Sequence, residues 1–230
     1  MVECPVKQTN LQTFGKPPLP RGYSPSHILT YRRCEYKFLL AFIYKVKVET
    51  KFQPLLTGSS IHEDISKGIF TSEAPERQKM LNVAQEFLSE MPANPIFETT
   101  YEDPNNPGIF RGMIFGKPFI GIFDAHWVEE RQGVDWKASK HNEKYDSDYE
   151  IQAYILNELF KQKYKHNLRK FTFVFLKDGF RYEAQSIYNG AVRNRTEKKI
   201  KSALDGISNY EFKKKRSYAC QWCECKGLCI

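Results

Sequence analysis

No stretch of this sequence stays apolar long enough to cross a bilayer. The longest apolar run, roughly Phe38 to Tyr44, falls far short of the ~20 residues that a spanning helix needs. The N-terminus also lacks the basic, apolar and small-residue layout of a signal peptide. The expectation is an intracellular, cytoplasmic protein with no membrane partner. No internal repeat and no low-complexity segment is apparent in the 230 residues, and the first two dozen, rich in proline and polar groups, read as an extended arm. Acidic charge is in deficit as well. Asp plus Glu number 27 against 35 Lys plus Arg, a net charge of +8, which favours a polyanionic partner. The excess is local, because residues 193–216 hold nine basic side chains against three acidic ones. Such a run is as often a solvated helix face as a binding surface, so it gains meaning only beside a site.

What is present in quantity is core-forming material. Hydrophobic residues make up 41% of the chain, enough to fill one sizeable core, so the expectation is a single domain over 1–230. Six cysteines in a reducing compartment are poor candidates for disulfides, which makes metal the better reading. Four of them crowd the end in "CQWCECKGLC" (Cys220, Cys223, Cys225, Cys229), while Cys4 and Cys34 lie far upstream.

Along the chain, Ser24-Pro25 predicts a helix N-cap with proline in the first turn, and a helix carrying Cys34 follows. "TGSSIHEDISKGIF" predicts a helix opened by a Ser60/Glu63 capping box, and "SEAPERQKMLNVAQEFLSEM" has helical periodicity. From Pro95 to Ser139, β-branched and aromatic runs broken by "DPNNPG" and "EERQG" predict a three-strand meander. "SDYEIQAYILNELFKQKYK" returns to helix, with Ser147 and Glu150 as a second capping box. "KFTFVFLKDGFRYEAQS" predicts a hairpin turning at Asp178-Gly179, and a last helix runs from about Tyr188 to Ser208. The fold class is therefore α/β or α+β, a mixed sheet with helices packed around it.

Two acidic residues interrupt the meander. Asp124 ends the apolar "GIF" of "PFIGIFDAHWV", and "GVDWKAS" places Asp135 and Lys137 two apart on a strand, sharing a face while Trp136 points to the other. A hairpin centred near Glu129-Glu130 brings Asp124 opposite Asp135, at a cross-strand Cβ separation of ~4.5–5.5 Å. Two like charges so close need a cation between them, and a divalent ion that prefers oxygen ligands is the natural one. Lys137 then stands where it can orient a water attacking a phosphodiester. Taken alone, Asp135 and Lys137 read as a surface ion pair of little energetic value. Asp124 in an apolar strand is what changes the reading.

The order "GIFD", a short hairpin, then "DWK" resembles the PD-(D/E)XK nuclease superfamily. The resemblance implies a restriction-endonuclease-like mixed central sheet flanked by helices, with Asp124 and Asp135 as ligands of Mg²⁺ or Mn²⁺ and Lys137 as the catalytic lysine. "GSSIH" (Gly58 to His62) resembles the G-x-x-x-H element of the RecB-like branch, which implies His62 as a further metal ligand. Gln152, followed by Tyr154, resembles that branch's glutamine-tyrosine element, although the family more often places its tyrosine where this chain has Leu156. Glu98 and Glu102 are acidic neighbours without a motif match.

Cys220, Cys223 and Cys229 form C-x2-C-x5-C, three thiolates that need a fourth. Cys225 or a distant cysteine can supply it, and there is no second C-x2-C pair of the kind a structural zinc prefers. With Cys34 upstream, the pattern resembles the iron–sulfur nucleases, including the CRISPR-associated Cas-four proteins. That resemblance implies a 4Fe-4S cluster on Cys34, Cys220, Cys223 and Cys229, in a lobe joining about 24–45 to 210–230. It further implies a metal-dependent DNA nuclease, an exonuclease on single-stranded DNA, working alone or in a DNA-processing or CRISPR adaptation complex. The alternative is a non-catalytic nucleic-acid-binding protein with a C-terminal zinc site.

Overall fold

Strand-forming runs rich in aromatic and β-branched residues pair into two sheets. β1 (Ile96–Phe97), β4 (Ala125–Trp127), β5 (Gln132–Lys137), β6 (Lys170–Phe175) and β7 (Phe180–Glu183) form a five-stranded sheet in that order, and β2 (Ile109–Ile114) pairs with β3 (Lys117–Ile122) in a separate ribbon. Only β5 and β6 are parallel; the other neighbours are antiparallel, so the sheet is mixed. Parallel neighbours need a crossover, and α5 (Asp146–Tyr164) supplies it. The computed structural model describes residues 17–46, 53–97 and 109–215 with Cys220, Cys223, Cys225 and Cys229, apart from the side chains of 53–59. Cys4, Glu98 and Glu102 lie outside the described residues.

The chain divides into two units, residues 52–200 and residues 1–51 with 201–230. In the larger unit, α3 (Gln53–Ser66) and α4 (Pro75–Ser89) cover one face of the main sheet, where Ile61, Ile65, Leu81 and Phe87 pack with Trp127, Val134 and Trp136. The β2–β3 ribbon lies against α5 instead. A Cβ at Gly121 would stand 2.6 Å from Leu156 Cδ2, so only glycine allows that approach. Gln162 on α5 accepts from Met113 N (2.8 Å) and donates to Met113 O (3.0 Å).

The smaller unit holds α1 (Pro25–Arg33), α2 (Glu35–Phe38) and a π-helical turn over Leu39–Ile43. Ser24 caps α1 as the sequence predicts, accepting from His27 N, with proline in the first turn. The residues after α6 (Gly190–Ser208) return to these helices. Phe212 stacks on Phe38 at 6.0 Å, Tyr31 Oη donates to Glu211 O, and Lys213 N donates to Glu35.

Five local expectations fail for physical reasons. Between Pro95 and Ser139 the described residues hold five strands, not three, because Phe115 and Gly116 both take positive φ and fold β2 and β3 into their own hairpin. Ser60 does not cap α3. It lies inside the helix, where Arg77 on α4 donates to its hydroxyl at 2.6 Å, and Glu63 pairs with Lys67. Ser147 and Glu150 do not form a box either, because distant donors win: Lys199 binds Ser147 Oγ at 2.6 Å, and Glu150 accepts from Tyr182 Oη, Gln185 N and Ser186 N. The β6–β7 turn has four residues, with positive φ at Gly179 alone, and Asp178 caps the N–H groups of Phe180 and His141. Cys34 lies at a break between helices, its extended backbone (φ −162°) ending α1 while its thiol accepts from Lys37 N to start α2.

Candidate active site

The β4–β5 hairpin sets the site. Its pairs Ala125↔Val134, His126↔Gly133 and Trp127↔Gln132 fix the register, and one step further along the same register Asp124 stands opposite Asp135. Both carboxylates are buried, at 8% and 5% exposure. Burying two acids side by side is costly unless their oxygens are engaged. Trp136 N donates to Asp124 Oδ2 at 2.6 Å, a hydrogen bond that ties the two strands across the site. The Trp136 ring points to the opposite face and meets Phe87 edge-on at 5.5 Å, so the core holds the strand that carries Asp135 and Lys137.

Lys137 Nζ lies 2.5 Å from Asp135 Oδ1 and donates to Gln152 Oε1 at 3.2 Å. Gln152 reaches from α5, and its Nε2 donates to Asp135 Oδ2. The ammonium also faces the Phe173 ring at 5.3 Å and the Tyr149 ring at 6.0 Å, so two aromatic walls and an amide define its position. Tyr154, of the glutamine-tyrosine element, is buried at 4% exposure and stacks on Phe115, with Glu197 on its hydroxyl. It takes no part in the cluster around Lys137.

His62 reaches the site from α3, with Nδ1 3.4 Å from Asp124 Oδ2. Burial alone would lower its pKa, but the Asp124 carboxylate, its hydrogen bond and the charge of Asp135 push it up to about 9, against Lys137. Asp124 moves the other way. Burial raises it, yet His62, the Trp136 amide and Lys137 together hold its carboxyl below the usual range. Asp135 is raised, first by burial and then by Asp124, although Lys137 and His62 oppose the shift. The two acids are thus shifted in opposite directions, Asp124 toward its ionised form and Asp135 toward its protonated one.

The donor set suits a hard divalent cation: two carboxylates and an imidazole on adjoining elements. Asp135 Oδ1 is buried, and the Lys137 ammonium 2.5 Å away is the charge that meets it here. Among the described residues no three His, Cys, Asp or Glu side chains close into a ready coordination shell. Lys137 and His62 engage the carboxylates here, and both must shift for a cation to bind the same oxygens.

In the smaller unit, burial pushes the Cys229 thiol up, and the sulfurs of Cys223, Cys34 and Cys220 push it further, against Lys214. Cys223, Cys34 and Cys220 therefore each lie within electrostatic reach of Cys229. Cys225 is buried at 3% exposure and is not among the groups acting on Cys229.

Sequence reasoning misses the walls of the lysine site. Tyr149 and Phe173 are aromatic residues in elements full of aromatic residues, and nothing local marks them; only the parallel register Asp135↔Phe173 places one of them beside the lysine. Glu150 is missed for another reason. Its position suits a helix cap, whereas its partners lie more than thirty residues downstream.

A mixed sheet here presents two buried carboxylates, a lysine and a glutamine at one place, a group of side chains suited to holding a cation beside an amine. Residues 23–230 match the PD-(D/E)XK nuclease superfamily, and the chain belongs to that superfamily. No curated protein was found to match the sequence. Among solved structures, the crystal structure of SSO0001 is similar at 15% identity and a TM-score of 0.49, spanning 96% of this chain and 91% of that one.

Proposed function

We propose that the chain is a Mg²⁺- or Mn²⁺-dependent deoxyribonuclease of the RecB-like, Cas-four type, which digests single-stranded DNA from an end and carries a 4Fe-4S cluster. The observation that carries the reading is the convergence of His62, Asp124, Asp135, Lys137 and Gln152 from α3, the β4–β5 hairpin and α5. Asp124, Asp135 and His62 would hold the divalent ion. Such an ion supplies Lewis acidity, making water a nucleophile near neutral pH and offsetting charge on the phosphate. Lys137 orients the attacking water and faces the charge that builds on the phosphoryl oxygens. Gln152 fixes the ammonium through Oε1 and Asp135 through Nε2, which sets the angle between amine and carboxylate.

The cluster assignment rests on the cysteine spacing and on Cys34, Cys220 and Cys223 lying within electrostatic reach of Cys229 across a long span of chain. A bridge of that length removes much loop entropy and staples the first helices to the C-terminal segment. Cys34→Ser is expected to yield a paler protein with less iron and sulfide and a lower melting temperature than the brown wild type purified without air. Zinc in place of iron in the wild type would replace the cluster with a structural zinc site.

The direct test of the function is incubation of end-labelled single- and double-stranded DNA with Mg²⁺ or Mn²⁺. Progressive shortening of the single strand, abolished by a chelator, is expected. Internal cuts in a circular strand would make the enzyme an endonuclease, and no cleavage of either substrate with either metal would remove the nuclease reading.

A further inference from the structure

Outside the carboxylate site, the start of α5, the end of β7 and the first turns of α6 enclose a cleft of about 220 Å³. A ladder of rings leads to it. Lys137 Nζ lies 6.0 Å from the Tyr149 ring, the Tyr149 and Tyr182 rings are 5.9 Å apart, and Tyr182 lines the cleft. The cleft therefore begins two rings away from the lysine.

Its chemistry is that of an anion site. Thr196 is buried to 3% exposure, lines the cleft, and among the described residues its hydroxyl has no hydrogen-bond partner. Its oxygen is not one of the fully buried atoms left without a partner, so it keeps access to the cleft that it lines, where a ligand can reach it. Arg195 is exposed beside it and, among the described residues, its guanidinium makes no hydrogen bond or ion pair. Lys199 brings its ammonium to Ser147 Oγ in the first turn of α5, where Tyr145 provides no side-chain cap. The two acids that line the cleft are already engaged. Glu150 accepts from Tyr182 Oη, Gln185 N and Ser186 N, and Asp146 Oδ1 meets His141 Nε2 at 2.8 Å. What faces a ligand is the Arg195 guanidinium and the Thr196 hydroxyl, with the Lys199 ammonium held on Ser147 adding positive charge beside them, a set that suits a tetrahedral phosphate.

We propose that this cleft seats a backbone phosphate of the nucleic-acid strand, a few nucleotides from the cut, and that Arg195 and Thr196 are positioning residues for it. The inference rests on the nuclease reading, since it takes a phosphate-bearing strand as substrate. Tyr149 and Tyr182, lying between the lysine and the cleft, fit the intervening bases, because stacking on aromatic rings is a sequence-tolerant way to guide a single strand.

The test is binding of a fluorescent single-stranded oligonucleotide to the full chain in chelator, so that no cleavage occurs, with Arg195→Ala, Thr196→Val and Lys198→Ala compared. Lys198 is exposed on the same helix and does not line the cleft, so its variant removes equal charge elsewhere. Arg195→Ala and Thr196→Val are each expected to weaken binding about three- to tenfold. Only the arginine variant should flatten the dependence of log affinity on log salt, by about 0.7. With metal present, KM for a long strand should rise by the same factor while turnover of a dinucleotide is unchanged. Wild-type affinity in both cleft variants, or an equal loss in Lys198→Ala, overturns the cleft assignment while cleavage by the wild type keeps the nuclease reading. A wild type that neither binds nor cuts DNA overturns both.

Discussion

Lys137→Met is expected to cut the rate of DNA cleavage by about 10²–10³-fold at saturating metal, and Asp124→Asn by at least as much. The two losses differ in kind. Methionine keeps most of the lysine stem against Phe173 and Tyr149 but removes the charge that lies 2.5 Å from Asp135 Oδ1. Without that ammonium one competitor for the carboxylate oxygens is gone, so metal affinity should hold or improve while turnover falls. Asparagine at 124 can still accept from the Trp136 amide, which preserves the strand contact, but it removes one of the two anionic ligands. Metal affinity should therefore fall together with turnover. Because both residues serve one step, the double variant should be little slower than the slower single variant. Metal titrations and single-turnover cleavage on the same preparations separate the two effects. Cleavage by purified Lys137→Met within about threefold of wild type would remove the lysine from the chemistry.

How the site assembles is partly legible in the sequence. Asp124, Asp135 and Lys137 are found by strand arithmetic: side chains alternate with period two, and a loop between Trp127 and Gln132 fixes which residues face each other. Trp136 reads correctly for the same reason, since its neighbours on either side are charged and it alone suits the core. Gln152 and His62 are legible only through the family resemblance, because nothing in a helix of mixed polarity says which strand it will cover. The structure brings both to the carboxylates, with Gln152 bridging Asp135 and Lys137, and His62 leaning on Asp124. The local signals that fail share one cause. Ser60, Ser147, Glu150 and Asp178 all suit short-range caps or turns, yet each bonds to a residue on another element. A side chain with one or two acceptor oxygens takes the best donor available, and in a packed domain that donor is often far away in sequence. The β2–β3 ribbon escapes the meander reading for a related reason. The close seat of Gly121 against Leu156 is a tertiary fact that no window of sequence contains.

Metal binding should release about one proton near neutral pH, and the proton should come from His62. With its pKa pushed up to about 9 by Asp124 and Asp135, the imidazole is protonated at pH 7 and cannot ligate. The sign follows directly. A cation and the His62 proton compete for the same carboxylate pair, so affinity rises with pH until His62 is neutral and then levels off. Between pH 6 and 8 the slope should be about tenfold per unit, and at pH 7 affinity should stand about a hundredfold below its plateau. Asp135, also raised by burial and by Asp124, steepens the fall at lower pH, because it too must ionise to bind metal. Calorimetry of Mn²⁺ binding in two buffers of different ionisation heat reads the proton count directly. His62→Gln keeps a hydrogen-bonding group beside Asp124 but cannot carry the proton, so its binding should lose the release near pH 7 and vary little from pH 7 to 8. If wild-type affinity is flat over that range and no proton appears, the cation displaces no proton from His62, and the imidazole is not held protonated beside Asp124.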